Sequence, residues 1–284
     1  MCHFGWDIGA TKWVGIGEVC DVDGGTRRIM GHGLTTDTPA SVLTSIQRWT
    51  QASLASAYLG GEDHAVERYC AFAGSVDESG VVVGWPNRPS WVGYPLHQCL
   101  FPPADEGGRI DGDGLCAAMG EHRFGVAAVY RDFLCVTLGT GIGSGLFFDG
   151  SARRTATPAL ALGHLSVGGG EVCSCGRVGC LQSVFSGRKY LSQERGGGFI
   201  EPDASSDSVG TLVRVASGLA GFLGLEAIIV TGGLVGYWPR FADGLVSRLG
   251  EALAGLPCVA VSSSFPHLSA AYGALELSYT GEQL

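Results

Sequence analysis

Seventeen residues from His164 to Cys180 hold one histidine and three cysteines, Cys173, Cys175 and Cys180, in the pattern H-x8-C-x-C-G-x2-G-C. An imidazole with three thiolates is a closed, tetrahedral, borderline-soft donor set, and it suits Zn²⁺. Gly176 and Gly179 stand where the backbone must turn around an ion. Free core thiols, the alternative, rarely cluster at this spacing within a glycine-rich loop. With all four positions supplied by protein, the expected metal is structural, and the chemistry must lie elsewhere.

Four other stretches offer that chemistry. Asp7-Ile8-Gly9-Ala10-Thr11-Lys12 combines small residues and a hydroxyl for phosphate oxygens, a lysine for charge and an acid for a Mg²⁺ hydration shell. Gly139-Thr140-Gly141-Ile142-Gly143 follows an apolar run and is a second glycine tip of the same kind. Pro86-Asn87 places a donor and acceptor on a turn, as hydroxyl recognition needs, although turn capping is the commoner use of asparagine. Asp111 and Asp113 precede an apolar helical pattern, where a carboxylate serves either as an N-cap or as a general base.

The elements that must position these residues read as follows. Alternation from Phe4 to Val19 around Gly9 and Ala10 predicts a β-hairpin with Asp7, Gly9, Thr11 and Lys12 at its tip. Phe133 to Leu138 and Leu146 to Phe148 predict a second one, and no helix follows its glycines, so a dinucleotide fold is not expected. Helices are predicted over Thr38 to Ala57, Leu115 to Val129, Val209 to Leu223, Phe241 to Leu253 and Ala270 to Leu277. Strands are predicted over Tyr69 to Phe72, Gly80 to Gly84, Ala227 to Thr231 and Val259 to Ser262, the third ending on Gly232-Gly233. The stretches 102–114 and 186–207 read as loops, the second a surface excursion. Strands alternating with helices predict an α/β layer structure, and no solenoid-length repeat is present.

Composition narrows the function. A chain of 284 residues, 45% hydrophobic, can bury one large core or two. No run approaches the roughly 18 apolar residues of a membrane span, and Met1 to Gly5 has no secretory pattern, so the expected location is cytoplasmic. Ten cysteines then mean one metal cluster and scattered core thiols rather than a disulfide framework. A net charge of −9 gives no general attraction to nucleic acid or to an anionic membrane. Lys12 and Lys189 are the only lysines and Asn87 the only asparagine, a bias expected of a high-GC genome.

Together these motifs resemble the ROK family of sugar kinases. The phosphate-1 hairpin (Asp7 to Lys12), phosphate-2 hairpin (Leu138 to Gly143), adenosine glycines (Gly232-Gly233), Pro86-Asn87 turn and zinc signature carry the resemblance, which extends over nearly the whole chain. It implies a two-domain ribonuclease H-like actin/hexokinase fold with an ATP/sugar cleft between domains. Residues 1–109, completed by a C-terminal helix over 269–281, would form the first α/β domain; residues 110–268 would form the second, with the zinc loop 164–180.

The resemblance also implies roles. Gly112-Asp113 before Ala117-Ala118-Met119-Gly120-Glu121 aligns with the family's Asn-Asp pair, making Asp113 rather than Asp111 the general base. Gly9, Ala10, Thr11, Lys12, Gly139, Thr140, Gly141, Gly143, Gly232 and Gly233 would bind ATP, with Mg²⁺ near Asp7 through water. Gly74, Asn87, Gly112, Asp113, His164 and Gln182 would meet the sugar. Departures from the pattern stand at Ala161 and Gln182, where the family has glutamates, and at Gly112, where it has asparagine. Lost contacts point to a modified hexose such as kanosamine (3-amino-3-deoxyglucose), with glucose, N-acyl-hexosamines and cyclitols as alternatives. The implied partners are a small sugar and ATP, with a homodimer as a common state in the family. A sugar-responsive repressor would need an N-terminal helix-turn-helix, for which strand pattern starting at Phe4 leaves no room. A non-catalytic sugar or nucleotide sensor is the remaining non-enzyme class.

Overall fold

The computed structural model describes residues 1–20, 25–57, 65–101, 108–154, 161–169, 171–190 and 200–280, with side chains of the last helix through Leu277. Two compact units divide the chain. Met1–Cys116 joins Ala270–Leu284 in the first, and Ala117–Ser269 forms the second.

The first unit is built on strands β1 (Cys2–Ile8), β2 (Lys12–Cys20), β3 (Thr26–Leu34), β4 (Val66–Phe72) and β7 (Arg109–Gly112), in the order β3-β2-β1-β4-β7. The hairpin closes Ile8 against Trp13, while β4 runs parallel to β1 and β7 parallel to β4. Helices α1 (Pro39–Ala55) and α2 (Leu96–Leu100) and the ribbon β5 (Ser75–Val76) with β6 (Val82–Gly84) complete the middle of this unit. Proline opens α1 because its missing N–H would be unpaired there anyway. Its Val42, Leu43 and Ile46 join Phe4, Trp6, Ile8, Trp13, Phe72, Trp85 and Trp91 in one aromatic-rich core.

Helix α3 (Asp113–Phe124) starts in the first unit and helix α8 (Ser269–Thr280) returns to it. Two glycines permit the return. A Cβ on Gly5 would lie 2.3 Å from the Leu275 nitrogen, and one on Gly273 would lie 1.7 Å from the Cys116 carbonyl oxygen. Backbone therefore packs directly on backbone at both places.

The second unit contains β8 (Phe133–Leu138), β9 (Ile142–Phe148), β10 (Ser151–Ala152), β11 (Ala227–Thr231) and β12 (Val259–Ser262), ordered β10-β9-β8-β11-β12. Here too an antiparallel hairpin is extended by two parallel strands. The same order of connections thus occurs twice, although the chain shows no internal sequence repeat. Short helices α4 (Leu181–Val184) and α6 (Gly233–Tyr237) accompany the longer α5 (Asp207–Leu223) and α7 (Pro239–Ala252). Helix α5 is capped by Ser206, whose hydroxyl accepts the Val209 N–H, and ends at Gly224 in the left-handed region. Leu212, Val213, Ala216, Leu245 and Leu249 pack with Leu134, Val136, Ile228 and Val230 into a second core.

Three local expectations are corrected. Residues 109–112 form a strand, not a loop: Ile110 alone faces the apolar core, so four residues carry no alternation to read. The helix expected over Leu115 to Val129 starts at Asp113 and stops at Phe124, where extended Gly125 leads into a 3-10 turn. Residues 187–190 of the expected 186–207 loop form another 3-10 turn; 191–199 of that stretch and 102–107 of the acidic one lie outside the described residues. Strand β3, a polar edge strand with Arg27 and Arg28, was not expected at all. No helix among the described residues is long and apolar enough to cross a membrane.

Candidate active site and metal centre

In the first unit, parallel pairing aligns Asp7 with Ala71 and Ala71 with Asp111, which puts the two acids on one face of the sheet. Asp113 follows two residues later as the first residue of α3, its Oδ1 accepting the Gly114 N–H at 2.8 Å. Desolvation raises the Asp113 carboxyl to about 6, against the lowering effect of the backbone bonds from Gly114 and Asp113 itself. Desolvation also raises Asp7, to about 7, helped by the charge of Asp113 and opposed by Lys12. The Oδ1 of Asp7 is buried without a hydrogen-bond partner. A buried acid in that state either keeps its proton or gives it up to face a cation's hydration shell, so the residue fits Mg²⁺ at this position.

Both hairpin tips share one polar arrangement. In the first, the carbonyls of Ala10, Thr11 and Lys12 accept from Arg88 Nε (2.8 Å), Thr35 N–H (3.0 Å) and Gly9 N–H (3.0 Å). In the second, those of Gly139, Thr140 and Gly141 accept from the N–H groups of Gly187 (3.0 Å), Arg188 (3.1 Å) and Gly139 (3.0 Å). Tying the carbonyls down removes the negative ends of the tip dipoles and leaves a surface suited to anions. Gly143 lies in β9 opposite Thr137. Gly232 turns with φ 99°, and a Cβ there would lie 2.6 Å from the Leu138 carbonyl oxygen; Gly233 then opens α6.

The remaining predicted residues divide between the units. Gly74 lies where a Cβ would come within 2.6 Å of the Phe72 ring, and Asn87 sits half-buried in a turn closed by the Arg88 N–H on the Trp85 carbonyl at 2.9 Å. Gly112 is exposed, and a Cβ there would meet nothing within 4 Å. These belong to the first unit with Asp7 and Asp113, while His164 and Gln182 belong to the second with the metal loop.

His164, Cys173, Cys175 and Cys180 each bring a ligand atom within 4.8 Å of all the others. Cys173 Sγ lies 3.6 Å from His164 Nδ1, and Cys175 Sγ 3.8 Å from Cys180 Sγ, far beyond a disulfide. A tetrahedron with the usual Zn–S and Zn–N bond lengths has edges of about 3.8 and about 3.6 Å, so the donor set fits zinc. Burial acts to raise the Cys175 thiol, but bonds from the backbone and side chain of Arg177 and from Cys173 and Cys180 outweigh it, bringing it down to about 7. Positive φ at Gly176 (86°) and Gly179 (75°) makes the turns. Gln182 donates from Nε2 to Cys173 Sγ at 3.1 Å and to Ser174 Oγ at 3.2 Å, which places it beside the cluster.

Sequence reading missed Arg88 and the surroundings of Glu121. Glu121 is fully buried; its Oε1 accepts from the hydroxyls of Ser263 and Ser269, the latter at 2.6 Å, and its Oε2 from the Val126 N–H. No local spacing announces partners so distant in sequence.

The family model described as ROK family matches residues 4–198. A kanosamine kinase of Amycolatopsis mediterranei is 38% identical over 130 residues, 43% of this chain and 40% of that protein. A glucokinase of Streptomyces coelicolor is 31% identical over 190 residues, 66% of this chain and 57% of that protein. The matched stretch thus covers less than two thirds of either relative's length. Among solved structures, a ROK family glucokinase from Streptomyces griseus in complex with glucose and AMPPNP superposes with a TM-score of 0.72 and 26% identity, covering 98% of this chain and 99% of that one. A ROK hexokinase from Thermus thermophilus, 20% identical with a TM-score of 0.70 over 98% of each chain, shows the same fold. The architecture is therefore the expected ribonuclease H-like actin/hexokinase fold.

Proposed function

Because this chain belongs to the ROK family, we propose that it is an ATP-dependent sugar kinase that phosphorylates the 6-hydroxyl of a hexose, with Asp113 as general base. The observation that carries this reading is the half-buried pair of acids, Asp7 and Asp113, whose charges interact. A carboxyl held up to about 6 is ionised near neutral pH yet basic enough to take a hydroxyl proton as that oxygen attacks the γ-phosphate. Asp7, with its unpartnered buried Oδ1, would hold the hydration shell of Mg²⁺. That ion, when bound, neutralises charge on the phosphate oxygens. Residues Gly9 to Lys12 and Gly139 to Gly143 offer phosphate oxygens their tips, whose carbonyls are already engaged. Gly232 and Gly233, without side chains, admit the adenosine.

Gly74, Asn87, Gly112, Asp113, His164 and Gln182 form the sugar set of this reading. If Nδ1 of His164 serves zinc, its Nε2 stays available to a hydroxyl, and the metal fixes the ring that offers it. The zinc site, with four protein ligands, supplies no chemistry of its own. For the substrate we favour an amino hexose such as kanosamine. The open space over Gly112 and the kanosamine kinase relative support it, whereas the glucokinase relatives support glucose as the second reading.

ADP release measured with kanosamine, glucose, N-acetylmannosamine and a cyclitol tests both levels. Asp113→Asn should abolish nearly all turnover while retaining sugar binding; retained turnover would remove Asp113 as the base. A kcat/KM for glucose far above that for kanosamine would overturn the amino-hexose preference.

A further inference from the structure

We infer that Arg88 is a positioning residue that fixes the tip of the β1–β2 hairpin for the nucleotide from the platform that carries Asn87, an inference resting on the phosphate-binding reading of that tip. Its guanidinium spreads over three acceptors in two loops. Nε donates to the Ala10 carbonyl at 2.8 Å, Nη2 to the Thr35 carbonyl at 2.7 Å, and Nη1 to Asp37 Oδ1 at 2.8 Å. Thr35 in turn donates its N–H to the Thr11 carbonyl at 3.0 Å, so Arg88 holds the tip at Ala10 directly and at Thr11 through one further bond. The fork geometry of a guanidinium allows this, and the single ammonium of a lysine cannot reproduce it.

The platform behind Arg88 is rigid. Trp85 and Trp91, three residues to either side, are both buried, and their rings meet edge to face at 4.9 Å. Trp91 Nε1 donates to the Thr36 carbonyl at 2.9 Å, and Ser90 Oγ to the Asp37 carbonyl at 2.9 Å, which hold the 35–37 loop to the platform without Arg88. The Asn87 turn is closed by its own backbone bond. Removing the Arg88 side chain therefore releases the Ala10 carbonyl and loosens that part of the hairpin tip, while the Thr35–Thr11 bond and the sugar turn stay in place. Only 22% of the side chain is exposed, against 74% for Asp37, so the bonds to the carbonyls, rather than the exposed ion pair, are what hold it.

The test uses the full chain as Arg88→Ala and Arg88→Lys. Hydrogen exchange at residues 9–12 should quicken at least about tenfold in Arg88→Ala. MgADP affinity measured by calorimetry should fall about tenfold while kanosamine affinity changes less than about twofold, with Arg88→Lys intermediate in both. A generally weakened fold would lower both affinities together and would overturn the assignment. So would unchanged exchange at 9–12 in folded Arg88→Ala. Faster exchange with unchanged MgADP affinity would leave the clamp standing and overturn the phosphate-binding reading beneath it.

Discussion

Gln182 donates its side-chain N–H to Cys173 Sγ at 3.1 Å. A donor to a ligating thiolate stabilises its negative charge and orients it, and such outer partners are worth about 10-fold to 100-fold in metal affinity. Gln182→Leu keeps the bulk and removes the donor. Zinc affinity measured by chelator competition should drop by at least about tenfold.

As the proposed base, Asp113 would set the pH dependence of turnover. Its folded value of about 6 lies above the ordinary carboxyl, so the free enzyme carries the base protonated below about pH 6 and ionised above it. kcat/KM should therefore rise with pH through this region and level off toward pH 8, the limb shared with Asp7 because the two charges interact. A pH series at saturating Mg²⁺ checks it.

Asp7 makes the metal-free protein sensitive to alkali. Its folded value of about 7 exceeds the ordinary 3.8, so the folded state binds the proton more tightly than the unfolded chain. That contribution is complete below about pH 4 and is lost as pH rises through 7. Asp7→Asn should raise the thermal midpoint at pH 8 without Mg²⁺ and have little effect at pH 4. Calorimetry at the two pH values reads the difference.

Gly112 tests the substrate preference. A Cβ there meets nothing within 4 Å, so the backbone admits a side chain at this position. A new donor and acceptor beside the base should shift the glucose-to-kanosamine ratio of kcat/KM toward glucose by about tenfold, the worth of roughly one hydrogen bond. Steady-state assays of Gly112→Asn with both sugars measure the shift.

Gly273 tests the return of the last helix. A methyl group there would fall 1.7 Å from the Cys116 carbonyl oxygen, and backbone on both sides must move to admit it. Gly273→Ala should destabilise the first unit by about 3 kcal/mol or more, read by urea unfolding.

Much of the site was legible because its residues are neighbours in sequence. The histidine and three cysteines of the cluster fall within one loop, and each hairpin tip lies between two alternating runs, so spacing alone brought each group together. Asp113 was read through its register with the following helix, which does begin at that residue. What stayed illegible is long-range or too short. β7 has a single core-facing side chain, and β3 is an edge strand whose arginines, glycines and histidine mimic a loop. Arg88 meets Ala10 across 78 residues of chain, and Glu121 meets Ser263 across 142, distances over which no pattern announces a partner.

The strand order repeated in the two sheets makes β1 and β8 counterparts, and likewise β7 and β12. Equivalent positions then carry different groups: Asp7, next to last in β1, corresponds to Thr137, next to last in β8. The helix after β7 opens on Asp113, and the helix after β12 opens on Ser269, whose hydroxyl is committed to Glu121. The two sheets thus share one order of connections while their equivalent positions differ in chemistry, acidic in the first and hydroxyl-bearing in the second.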